Sequence, residues 1–394
     1  MMHPTADDAS GIFLADATPV SAGSRIVELD GLRGVACLLV VTGHYFGEVA
    51  HGARFLCLEW VGVDLFFCLS GFLIGGILID NRGSPGYFTT FYVRRGFRIF
   101  PIYFLTVSLV LLALPHFPTL TEPAFPPGIY FGPGIYFGPG IYFGYVQNFV
   151  MAATGIETTT WLMPTWTLCV EEQFYLLLPM ILYVTPPRRL ARVLLLLIAS
   201  ASLFRIGLVL VSANKLALNM LLPTRWDLLF LGVLGAYAKR MPALWARLVR
   251  HDRYVLKATV FAGLAALLVL IVSDNCLGWR GVDMLGGLVL GTSLTGFLLL
   301  LAGGAPEGRR FRSRTLRFFG QISYALYLLH QPVSGLMHGL ILGSRPDIGT
   351  GPQTAVTVAA LAVGVALATL SWRFFESPLL RLGHQWRYRR ALPR

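Results

Sequence analysis

Apolar residues along this chain come in long runs, and the breaks between them carry most of the charge. Runs at about 34–50, 58–79, 98–114, 166–184, 193–212, 219–238, 258–273, 283–302, 317–341 and 355–375 reach or approach the length of a membrane-crossing helix. The pattern predicts an all-α fold, a polytopic membrane helix bundle of about ten transmembrane helices. A polar lead at 1–25 reads as disordered and cytoplasmic, with no basic start, apolar core and cleavage site of a secretory signal. The transmembrane domain is expected over 26–382 and a basic cytoplasmic tail over 383–394.

Composition agrees and removes other classes. The chain is 55% hydrophobic and 13% charged, with mean hydropathy +0.65, too apolar for a soluble protein. Its net charge of +12 would suit a nucleic-acid partner, but the placement of the charges argues for a bilayer and against nucleic acid. Arg82, Arg94, Arg95 and Arg98 follow the second run, and Arg188, Arg189 and Arg192 the fourth. Lys239, Arg240, Arg247, Arg250, Arg253 and Lys257 follow the sixth, and Arg309, Arg310, Arg312, Arg314 and Arg317 the eighth. The alternate loops hold only Arg54, Lys215, Arg280 and Arg345. Basic loops stay inside, so both termini are expected in the cytoplasm. Cys37, Cys57, Cys68, Cys169 and Cys276 show neither disulfide nor metal spacing, and no metal is expected.

Residues 115–165 contain no Lys or Arg and read as an extracytoplasmic loop. Gly-Ile-Tyr-Phe-Gly-Pro occurs at 128–133 and 134–139, then Gly-Ile-Tyr-Phe-Gly-Tyr at 140–145. A Gly-Pro at every repeat forbids one regular helix over 128–145. The simplest reading is a local duplication tolerated in an outer loop; an aromatic lid at the interface is the sharper one. Residues 141–153 have the length of a short re-entrant or interfacial helix.

Chemistry enters with the polar groups at membrane depth, which are costly and usually functional. Arg33 and His44 are eleven residues apart in the first run. At ~100° per residue they share a face, roughly 16 Å apart. Arg33 near the cytoplasmic end also reads as a snorkelling anchor, and His44 as a satisfied interfacial residue. Asp64, in the outer part of the second run, needs an imidazole or guanidinium partner. Arg95 and Arg98 lie at i and i+3 where the chain enters the third run, which suits phosphate groups as well as plain anchoring. Of the adjacent Glu171 and Glu172, Glu171 is expected inward, with Thr167 and Tyr175 on its face. Arg205, and Arg225 with Asp227, fit a packing salt bridge as well as a substrate contact. Ser323, Tyr327 and His330 share a face, where His330 reads either as a second catalytic group or as a helix-packing hydrogen bond. Arg373 and Glu376 look structural.

Taken together, these pieces resemble the acyltransferase-3 family of integral membrane O-acyltransferases. The matching segments are Leu29-Asp-Gly-Leu-Arg-Gly-Val-Ala with His44, Gly62-Val-Asp-Leu-Phe-Phe-Cys-Leu-Ser-Gly-Phe-Leu-Ile74, and Arg95-Gly-Phe-Arg98 leading to Pro101. Trp166-Thr-Leu-Cys-Val-Glu-Glu-Gln-Phe-Tyr175, Ser323-Tyr-Ala-Leu-Tyr-Leu-Leu-His-Gln-Pro332 and Phe375-Glu-Ser-Pro378 follow in family order. Each is weak alone; together they are specific and cover about 26–382.

The resemblance implies a ten-span core that takes an acyl group, commonly acetyl, from cytoplasmic acyl-CoA. The acceptor it implies is a hydroxyl on a glycan or glycolipid at the outer face. The family's Arg-x10-His motif falls on Arg33 and His44, and its Arg-x-x-Arg motif on Arg95 and Arg98. Thr167 stands where the family usually has Ser, which keeps the hydroxyl. No appended esterase-like domain is expected. The protein is thus expected in a bacterial inner membrane, multi-pass, with acetyl-CoA as co-substrate. Arg33, Arg95 and Arg98 would hold the CoA phosphates, and His44 would be the general base, since imidazole titrates near neutral pH. Asp64 or Glu171 would orient its ring, and Arg225 or His330 would stabilise the oxyanion, with Tyr327 beside them. A covalent acyl intermediate, on His44 itself, is the second mechanism. The rival class is a transporter or glycolipid flippase; no half-to-half similarity supports it.

Overall fold

The computed structural model describes residues 26–113, 138–157, 159–250, 253–277 and 281–388. The lead at 1–25, the first hexapeptide, all but the last two residues of the second, and the end of the basic tail lie outside them. Among the described residues the chain is helical, with no strand. The long helices are α1 (Val27–Thr42), α2 (Glu59–Asp80), α3 (Tyr87–Ser108), α4 (Trp166–Val184) and α5 (Pro187–Leu210). After them come α6 (Leu222–Lys239), α7 (Arg253–Leu277), α8 (Gly287–Ala302), α9 (Arg314–Leu342) and α10 (Gly351–Ser371). Each coincides with one of the apolar runs.

Seven of these, all but α1, α7 and α9, are long and apolar enough to cross a membrane. The described part of α7 is apolar only over Leu256–Val269. By contrast, α1 and α9 are diluted by polar side chains: Glu28, Asp30 and Arg33 on α1, and Tyr327, His330, Gln331 and His338 on α9. Two of the three helices that fall short, α1 and α9, thus carry Arg33, Tyr327 and His330 of the candidate chemistry.

Two boundaries differ from expectation. The third run was expected to open near residue 98, but α3 begins at Tyr87, with Gly86 before it at φ 76°. Arg94, Arg95 and Arg98 therefore sit inside the helix. Arginine is a good helix former, and the switch from polar to apolar sequence does not mark a helix start. Over 141–153, where one short helix was expected, the chain forms two. Pro139–Phe143 and Gln147–Thr154 form short helices, and Tyr145 between them has φ 53°. Tyr142 is buried, its carbonyl accepts from Tyr103 Oη at 2.9 Å, and the Tyr145 ring stacks on Tyr103 at 4.2 Å. The third hexapeptide is therefore part of the core.

The basic loops gather at one end of the bundle. Arg312 pairs with Glu28 at the start of α1, and Arg240 after α6 with Asp80 at the end of α2. Lys257 on α7 pairs with Glu307 before α9, Arg94 donates to the Trp386 carbonyl in the tail, and Arg82 donates to the Tyr183 carbonyl at the end of α4. The alternate loops meet at the other end, where His51 binds Asp347 and Asn214 donates to the Ala152 carbonyl.

Close helix approach sets the frame for the site. A Cβ on Gly34 of α1 would overlap the Leu316 carbonyl of α9, and one on Gly320 of α9 the Asp30 carbonyl of α1. Small residues let the two backbones touch, which places Arg33 and His44 beside Tyr327 and His330. The buried apolar side chains form two clusters, one around α2, α4, α5, α6 and α8, the other around α1, α3, α9 and α10. Phe66 and Tyr324 touch both clusters and mark the seam between them.

Candidate active site

A cavity of about 100 Å³ opens at this seam, room for several water molecules. Toward the basic end it is lined by Arg33, Arg95 and Arg98, and on the way inward by Ser70, Tyr175 and Glu171. Its far wall is Phe66, Thr167, Ser323 and Tyr327. Among the described residues, none of the three guanidiniums makes a hydrogen bond or ion pair to another side chain. Three arginines that share one carboxyl, Glu171, leave an excess of positive charge in the cleft, which suits a bound anion. The Ser70 and Tyr175 hydroxyls join at 2.5 Å across α2 and α4.

The far wall is held by its own hydrogen bonds. Tyr327 Oη lies 2.8 Å from Thr167 Oγ1, and both hydroxyls reach the Pro164 carbonyl, at 2.9 and 3.0 Å. One helical turn beyond Tyr327 on α9 sits His330, fully buried. His330 Nε2 lies 3.1 Å from His44 Nδ1, and the two rings are 5.0 Å apart.

His44 stands on a wide π turn, Gly43–Gly47, that prolongs α1. Such turns re-aim a side chain and recur at functional sites. A Cβ on Gly43 would meet Glu59 at the start of α2, so the turn is wedged against its neighbour. The His44 side chain is 14% exposed, and its Nε2 lies 3.5 Å from Glu48 Oε2 one turn on.

The structure thus brings Arg33, Arg95, Arg98, Glu171 and Tyr327 to one cavity, and His44 and His330 to each other just beyond its far wall. It does not bring Asp64 to His44. Asp64 Oδ1 accepts from Arg225 Nη1 at 3.2 Å, and Arg225 also donates to the Asn219 carbonyl and lies over the Trp166 ring at 5.8 Å. Arg225 is absent from the cavity lining. Glu171 lines the cavity but makes no contact with His44; the His44 ring instead meets His330, Glu48 and, one turn back, the Val40 carbonyl. Glu172 turns the other way, with one carboxyl oxygen buried and unpartnered.

Glu48 escaped sequence reasoning, although its i+4 spacing from His44 on a helical turn is a readable signal. The Ser70–Tyr175 pair left only the hint of two hydroxyls in apolar runs. Among the described residues no three His, Cys, Asp or Glu side chains converge as a metal-binding group.

Comparison with known proteins follows the same lines. A family model described as an acyltransferase domain, Acyl_transf_3, matches residues 26–373. YrhL of Bacillus subtilis is 29% identical over 373 residues, 90% of this chain and 55% of that protein. The peptidoglycan O-acetyltransferase OatA of Listeria monocytogenes is 24% identical over 371 residues, 91% of this chain and 56% of its own length. The O-acetyltransferase OatA of Staphylococcus aureus is 25% identical over 370 residues, 90% and 57%. The chain spans little more than half the length of these curated relatives. No solved structure matches the chain.

Proposed function

Because the chain belongs to the Acyl_transf_3 acyltransferase family, we propose that it is a membrane O-acyltransferase that moves acetyl from acetyl-CoA to a hydroxyl of an extracytoplasmic glycan. Relatives named as O-acetyltransferases, two of them for peptidoglycan (one as putative), favour acetyl and a cell-wall glycan over the other acyl groups and acceptors. The observation that carries the reading is the polarity of the cavity: three guanidiniums at one end, and a histidine pair just past the other. Acyl-CoA has the same polarity, a phosphate-rich nucleotide at one end and a nearly neutral thioester at the other.

In this reading the basic end of the bundle faces the cytoplasm, all ten long helices cross the inner membrane, and both termini stay inside. Arg33, Arg95 and Arg98 hold the CoA phosphates by charge-assisted, forked hydrogen bonds. The pantetheine arm runs past Ser70 and Glu171 toward Thr167 and Tyr327. His44 Nε2 takes the proton of the acceptor hydroxyl as its oxygen attacks the thioester carbonyl. The C–S bond breaks, and the proton passes on to the departing CoA thiolate. Asp64 and Arg225, bound to one another, act by holding α2 against α6 beside Trp166.

The test is transfer of labelled acetyl from acetyl-CoA in membranes that carry this chain, beside His44→Ala and membranes without it. Label reaching a glycan fraction only with the intact chain supports the reading. Turnover that ignores His44, or uptake of a solute or lipid without acyl transfer, replaces it with a transporter.

A further inference from the structure

The hydrogen bonds around the histidine pair determine where each proton sits. His330 Nδ1 lies 2.6 Å from the Tyr327 carbonyl, which can only accept. His330 Nδ1 therefore carries a proton. In the neutral ring its Nε2 is then an acceptor, and the atom 3.1 Å away, His44 Nδ1, must be the donor. That leaves the lone pair of His44 on Nε2, the nitrogen on the Glu48 side.

From this geometry we propose that His330 is a positioning residue. It holds His44 in the Nδ1–H tautomer and aims Nε2 at the acceptor hydroxyl. The proposal rests on the reading of His44 as general base. His330 takes the place that a carboxylate holds behind the histidine of a serine-protease triad. A neutral imidazole suits this depth, because a buried carboxylate facing an uncharged ring would carry an uncompensated charge. When His44 binds a proton, its Nδ1–H still points at the neutral His330 Nε2, so the cation keeps a hydrogen-bond acceptor.

The seat of His330 is built for one orientation. Tyr45 Oη donates to the His330 carbonyl at 2.7 Å, and the Tyr45 and Tyr327 rings flank the imidazole at 6.2 and 5.9 Å. The ring is fully buried, and its two nitrogens are both engaged.

The experiment uses the full chain in nanodiscs, with kcat and KM for acetyl-CoA measured for His330→Leu and His330→Gln, and ¹⁵N imidazole spectra of the wild type. Gln offers a carbonyl oxygen near the position of Nε2; Leu offers nothing. His330→Leu is expected to lower kcat ~10²-fold or more with KM nearly unchanged. His330→Gln is expected to recover most of kcat, and the wild-type spectrum to show His44 protonated on Nδ1. An Nε2–H tautomer in the wild type overturns the proposal, as does an equal loss in Gln and Leu variants that fold normally. Inactive His44→Ala beside unimpaired His330→Leu sinks this inference alone. Full transfer by His44→Ala sinks the base assignment and this inference with it.

Discussion

Arg205 Nη2 meets Asp227 Oδ2 at 2.6 Å between α5 and α6, with both side chains buried. Arg205 also donates to the carbonyls of Thr224 and Met284 and to Ser202, while Asp227 Oδ1 accepts from the Leu228 N–H. Every part of the pair is occupied by protein, and neither residue lines the cavity. Of the two roles open to Arg205 from sequence, this is the packing one. Arg205→Ala or Asp227→Ala should each destabilise the bundle by about 3–5 kcal/mol, because each strands a buried charge. Arg205→Met with Asp227→Leu should recover most of that loss. Thermal unfolding in detergent checks it: a single variant that melts with the wild type would refute the assignment.

The three cavity arginines should behave in the opposite way. Arg98→Ala should raise KM for acetyl-CoA ~10–100-fold, the loss of one hydrogen bond to a charged group. Arg98→Lys keeps the charge without the fork and should fall between. Acetyl-pantetheine lacks the nucleotide phosphates, so its KM should not respond. An equal response to both donors would place the arginines outside phosphate recognition.

Contact between α1 and α9 sets the geometry of the histidine pair. Gly320→Val forces the α9 backbone away from the Asp30 carbonyl. The expected cost is about 1–3 kcal/mol, with a larger effect on kcat than on stability, since the His44–His330 distance depends on this contact. Wild-type turnover by Gly320→Val would show that the close approach is dispensable.

At the outer end, His51 and Asp347 clamp two loops together. Asp347 Oδ2 binds the His51 ring at 2.6 Å, and Oδ1 accepts from the His51 and Ile348 N–H groups. Burial alone would raise the Asp347 carboxyl; the His51 and Ile348 hydrogen bonds outweigh it and hold the group below its ordinary value. The folded pKa is thus below the unfolded one, so the clamp stabilises fully above the unfolded value and is lost as pH falls through the folded one. Hydrogen-exchange protection of residues 345–350 should drop on acidification below about pH 4, and Asp347→Asn should remove that dependence. Protection unchanged by pH in the wild type would contradict the clamp.

Much of this architecture was legible in the sequence because membrane helices announce themselves one at a time. The ten runs, and the gathering of basic loops at one end, follow from apolar length and charge. The family membership followed from Arg33, His44, Arg95, Arg98 and Glu171 in order. Partnerships between helices were another matter. Helical periodicity gives the depth and face of Asp64, but not that the nearest cation is Arg225 rather than an imidazole. The meeting of His44 with His330 depends on Gly34 and Gly320 letting α1 touch α9, a relation between segments almost 300 residues apart. The seat of Tyr142 was hidden too, because it rests on packing against Tyr103, a relation between segments that the repeat itself does not signal.

The bonded wall of Thr167, Tyr327 and the Pro164 carbonyl has one further consequence. On the proposed topology, an enzyme that draws its donor from one compartment and its acceptor from the other is at risk of becoming a leak. A continuous water file past His44 would let protons through, driven by about 2.3 kcal/mol per charge for every 100 mV. With the hydroxyls of Thr167 and Tyr327 engaged with each other and with the Pro164 carbonyl, the wall offers a water file few free partners, and the arginines behind it repel cations. The bilayer keeps its insulation while the acyl group crosses.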